Sequence, residues 1–82
     1  MFRKLVKSGD IEIDGQRYPL RYFVQSTSRG AKRFSCEILL GASDQIIIDE
    51  DSMTSLESKV ARLAPAMVYS RLLASGRGPV AA

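Results

Sequence analysis

This chain of 82 residues has no histidine, no tryptophan and a single cysteine, Cys36. Each absence closes a route. Without histidine there is no side chain whose ordinary pKa suits proton transfer near neutrality, so neither Cys36 nor any serine has the usual base beside it. A lone cysteine cannot close an intrachain disulfide, and no thiolate–imidazole set for zinc can be assembled. Asp44, Asp49, Glu50 and Asp51 are candidates for a hard cation, yet consecutive residues point in different directions and a helix start accounts for them. No apolar run approaches the roughly 20 residues of a membrane span, and the opening MFRKLVKSG has no apolar core of signal-peptide length. No cofactor, metal or enzymatic activity is expected, and the cysteine usage suits a reducing, cytoplasmic setting.

What is present is an ordinary mixture, 45% hydrophobic and 26% charged. A chain this short buries only about 60% of its unfolded surface, so self-association is the remaining way to gain buried area. The net charge of +3 hides a segregation. Residues 1–33 carry eight bases and three acids, residues 34–57 six acids and no base, residues 58–82 four bases and no acid. Such blocks are expected to neutralise one another in the fold, with a nucleic-acid surface on the first block as the sharper alternative.

The best helical period lies in residues 49–74. Leu56, Val60, Leu63 and Met67 recur at i, i+4, i+7 and i+11 and share one stripe. Thr54-Ser-Leu-Glu57 has capping-box spacing, with Ser52 as a competing cap, and the acids at 49–51 favour the positive end of the helix dipole. Pro65 predicts a kink or a break, after which Val68, Tyr69, Leu72 and Leu73 leave the earlier stripe.

Before the helix come strand signals. Asp14-Gly15 suits a two-residue type I′ turn, which pairs Ile13 with Gln16, Glu12 with Arg17 and Ile11 with Tyr18. Tyr18, Leu20, Tyr22 and Val24 then share one face with Phe34, Cys36, Ile38 and Leu40 of the next strand. That register pairs Val24 with Phe34, Tyr22 with Cys36 and Leu20 with Ile38, and sets Arg21 opposite Glu37. Pro19 has no N–H for this neighbour, so the third strand should stop short there or bulge. Residues 45–49 make a fourth strand with Ile46 and Ile48 inward. Residues 1–8 either extend the first strand or lie across the sheet as a short helix. The expected fold is α+β: a four-stranded antiparallel meander and a C-terminal helix, ββββα, one domain over residues 1–75 with a disordered tail at 76–82.

Two surfaces remain as candidate sites. Pro19, Phe23, Leu39 and Ile47 fall on the sheet face away from the helix, where a singly covered sheet should be polar. With Leu72 and Leu73 they form the candidate interface for a second copy or another protein. The N-terminal eight residues or the segment after Pro65 could instead provide the cover. Arg29, Lys32 and Arg33 form the alternative, a nucleic-acid contact. Phe23 is the one aromatic among the basic residues there, which is thin for base stacking. Cys36, alternating with Phe34 and Ile38, reads as a small buried hydrophobe.

Overall fold

The computed structural model describes residues 2–74 and Gly76, with nothing taken from the side chain of Phe2. Four strands and one helix follow in order: β1 (Phe2–Ile13), β2 (Gln16–Ser26), β3 (Lys32–Gly41), β4 (Asp44–Glu50) and α1 (Met53–Ala74). The strands form one antiparallel sheet in the order β1-β2-β3-β4, the expected meander. Asp14 and Gly15 take φ of 51° and 80°, as a type I′ turn requires, and the pairs Ile13–Gln16, Glu12–Arg17 and Ile11–Tyr18 follow from it. The pairing of β2 with β3 likewise sets Val24 opposite Phe34, Tyr22 opposite Cys36 and Leu20 opposite Ile38. It ends at Leu20–Ile38, one residue short of Pro19, where the missing N–H could not have continued the ladder. Residues 2–8 lengthen β1, with a bulge between Leu5 and Lys7.

The core lies between α1 and one face of the sheet. Leu20, Tyr22, Cys36, Ile38, Ile46 and Ile48 enter it from the strands, and Leu56, Val60, Ala64 and Val68 from the helix. Cys36 is fully buried, and burial pushes its thiol up to about 11. Burial likewise carries the neighbouring Tyr22 phenol up to about 12.

The helix departs from the sequence expectation in three ways. Its buried line runs through Ala64 and Val68, while Leu63 and Met67 are half-buried. Steps of four residues drift by about 40° each, so this line slants across the helix surface instead of following one stripe. Val68 therefore continues the core that it was expected to leave. Secondly, α1 does not break into two at Pro65. Pro65 is exposed and so is Ala61, whose carbonyl the proline deprives of a donor, leaving that oxygen within reach of water. Thirdly, Ser52 is the cap and Thr54 is not: Ser52 Oγ accepts from the Ser55 N–H at 3.1 Å, and its carbonyl accepts from Leu56 at 3.0 Å. At the other end Gly76, with φ of 74°, donates its N–H to the Leu73 carbonyl at 3.1 Å. Gly76 apart, the expected tail at 76–82 lies outside the described residues.

Candidate docking face on the sheet

Strand parity decides what the second face carries. Residues that pair across neighbouring strands share a face, so Leu5 stands beside Phe23 and Ser35, Arg21 beside Glu37 and Ile47, and Asp10 beside Pro19. Leu39 is on this face too, paired with Gln45. None of Phe23, Leu39 and Ile47 joins the core beneath α1. Leu5 is 49% exposed and Ile47 53%; Phe23 and Leu39 are half-buried, and Pro19 is exposed.

At the centre of this uncovered face lies a carboxylate that hardly touches water. Glu37 is only 4% exposed, although no helix lies over it. Arg3 donates to its Oε2 at 2.6 Å, and Arg21 Nη2 lies 3.0 Å from Oε1. The second contact is a charge contact off hydrogen-bond geometry, which leaves Oε1 buried with no donor aimed at it. The Arg3 guanidinium also stacks over the Phe23 ring at 3.8 Å, an attraction of about 0.5–1 kcal/mol where solvent reaches it. Three strands are thereby tied together by ions on the outer side while the apolar residues stand around them.

The remaining expected interface residues are elsewhere. Leu72 packs against the helix-side core, so it is not part of the outer face, and Leu73 is 53% exposed near the end of α1. Sequence reasoning missed Leu5 and Arg3. Residues 1–8 had no assigned structure, and without β1 extended to Phe2 neither residue could be given a face.

Of the alternative basic set, Arg33 is held by Asp49 at 2.7 Å, and that hydrogen bond raises its pKa further. The side chains of Arg29 and Lys32 are exposed and pair with no other described residue. Arg29 sits in a loop that folds around Thr27, whose hydroxyl accepts from the N–H groups of Arg29 and Ala31. The charge blocks do meet one another in the fold. Lys59 reaches Glu50 at 3.0 Å, Arg71 reaches Asp44 at 2.6 Å, and Lys7 pairs with Glu57, while Arg17 is taken up within its own block by Asp10 at 2.8 Å and Glu12 at 3.3 Å. The bond from Lys59 holds Glu50 below the usual carboxylate range. Three of the four carboxylates considered for a cation are thus engaged by bases, and no group of three or more metal-binding side chains occurs among the described residues.

A depression of about 380 Å³ opens where Pro19 ends the β2–β3 ladder, lined by Gln16–Pro19 and Leu39–Gly41. It contains no carboxylate, thiol or imidazole, and its charge, Arg17, is already taken up by two acids. Among the described residues no helix is long and apolar enough to cross a membrane. No family model, curated protein or solved structure matches this chain.

Proposed function

We propose that this protein is a non-catalytic interaction module that docks a second copy of itself, or another protein, through the outer face of its sheet. One observation carries the reading. Two segments of the chain could have covered that face, and neither does: residues 2–8 add to the edge of the sheet, and the helix after Pro65 stays on the core side with Val68 buried. Leu5, Phe23, Leu39 and Ile47 are therefore left for an external surface. The arginine-clamped Glu37 holds the strands beneath them in place, so little ordering remains to be done on binding. A fully buried Cys36 suits a reducing compartment, and we place the protein in the cytoplasm.

Light scattering behind a sizing column at tens of micromolar tests self-docking by this face. A mass above that of the 9.0 kDa chain, lowered by Phe23→Asp or Leu39→Asp, is expected. A mass that neither substitution changes removes the self-docking form. Binding of another protein then has to be lost on the same two substitutions.

A second reading, nucleic-acid binding, is favoured only by Arg29 and Lys32, whose side chains pair with no other described residue at one end of the sheet. Phosphate binding would weaken steeply with salt. Oligonucleotides that fail to bind at low salt, or whose binding ignores salt, overturn it.

A further inference from the structure

We infer that two copies of this chain join edge to edge through β1, in antiparallel register about Ser8, to form one continuous sheet of eight strands. The inference deepens the self-docking part of the proposed function but stands on the sheet's edge instead of its face. β1 is an outer strand of 12 residues, and every residue from Arg3 to Asp10 is exposed. Its outward N–H and C=O groups have no ladder partner among the described residues. An open edge of this length is a template for another strand unless something blunts it.

Backbone parity specifies the register. In a hairpin closed by a two-residue turn, Ile13 and Gln16 form the hydrogen-bonded pair, so Ile11, Gly9 and Lys7 also bond inward to β2. Glu12, Asp10 and Ser8 then present their backbone groups outward. The bulge at Val6 shifts the phase by one, so that Leu5 and Arg3 are the next outward residues. Of the registers that parity allows an antiparallel copy, one uses all five of these residues: Arg3 opposite Glu12, Leu5 opposite Asp10, and Ser8 opposite Ser8. Val6, the bulge residue, is not itself a matched position; it lies between Leu5 and Ser8, where the bulge that shifts β1 against β2 keeps the outward residues evenly spaced. All five matched positions are hydrogen-bonded pairs, about ten new bonds in all, and each residue meets a partner on its own side of the sheet.

Charge favours the same arrangement. From Arg3 to Lys7 the strand has three bases and no acid; from Ser8 to Ile13 it has two acids and no base. Antiparallel pairing lays the basic half of one copy across the acidic half of the other. A strand edge protected against pairing would carry one sign along its length, as β4 does. That opposite edge has seven residues, with Asp44, Asp49 and Glu50 as its charges, and a second β4 would meet like with like. Joining at β1 also sets the two outer faces side by side, doubling the platform available to a partner.

Ser8 supplies the test. Its N–H points away from β2, so Ser8→Pro removes bonds at the two-fold axis and none from the β1–β2 ladder. The expected result is a twofold fall in mass by light scattering, with the circular dichroism spectrum unchanged. Ser8→Cys should oxidise to a covalent dimer, because paired strands bring facing Cα atoms within disulfide range. Asp10→Cys and Glu12→Cys should not, since their copies stand about 13 and 26 Å apart along the strands in this register at about 3.3 Å per residue. A wild-type mass of one chain overturns the inference. So does a mass untouched by Ser8→Pro in a folded chain, or cross-linking of Asp10→Cys without Ser8→Cys. If Phe23→Asp halves the mass and Ser8→Pro does not, the outer face alone joins the copies; the reverse result leaves the edge and removes self-docking by the face.

Discussion

The two faces of this sheet are built from the same strands under the same alternation, yet they solve burial by different means. On the helix side, Cys36, Ile38, Ile46 and Ile48 lose their exposure by packing against Leu56, Val60 and Ala64. On the outer side no described helix or strand packs, and the residue that loses its exposure is Glu37, between Arg3 and Arg21. The hydrophobic effect holds the first face together, and ion pairing with a guanidinium–ring stack organises the second. The difference teaches that the strands of a face that no described element covers can still be cross-tied, by ion pairs instead of by apolar packing.

The contrast is broken most severely from the helix side. Ile38→Ala removes a fully buried branched side chain and should cost about 2–5 kcal/mol, read as a lower urea midpoint with an unchanged slope. A smaller loss is expected in alkali, also from this face. Cys36 rises from 9.0 to about 11 and Tyr22 from 10.0 to about 12 in the folded chain. Raised acids bind their protons more tightly in the native state, so the stability they give is complete below pH 9 and is lost as pH climbs toward 12. Thermal melts from pH 8 to 12 should show a midpoint that falls once pH 9 is passed; a flat profile contradicts the burial of both groups.

Crossing to the outer face, Glu37→Ala strands two arginines that share its carboxylate and should cost about 1–3 kcal/mol. Glu57→Ala, which loses only the half-exposed pair with Lys7, should cost at most about 1 kcal/mol. Equal costs would mean that Glu37 is no better buried than a surface ion. Ser52→Ala removes the helix cap for about 1 kcal/mol, whereas Thr54→Ala should change little. Smallest of all, Ile47→Ala should stay within about 0.5 kcal/mol of wild type, because that side chain is 53% exposed and lies outside the core.

Most of the architecture was legible because short-range chemistry and strand parity agreed. Asp14-Gly15 defined a turn, the turn defined a register, and the matching of apolar faces placed Arg21 across from Glu37 without reference to the helix. Pro19 announced where β2 would lose its neighbour. The helix was less readable. Ala64 is too small to stand out in a hydrophobic period, and its place beside Pro65 suggested an ending instead of the centre of a buried line. A capping box at Thr54 and a single cap at Ser52 look alike until the backbone shows which residue precedes the first turn. The candidate face was legible in its middle, through Phe23, Leu39 and Ile47, and not at its border. Leu5 and Arg3 gain their positions from a bulge at Val6, and a bulge leaves no mark in an eight-residue segment with helical spacing.

The central claim, that the outer face is a docking surface, is tested most directly by methyl NMR on a dilution series from millimolar to low micromolar. Resonances of Leu5, Leu39 and Ile47 should move with concentration, while those of Ile38, Leu56 and Val60 stay in place. Shifts at Leu5 alone would confine the contact to the β1 edge. Outer-face methyls that hold still throughout, or that move only together with the core, would contradict self-docking by this face.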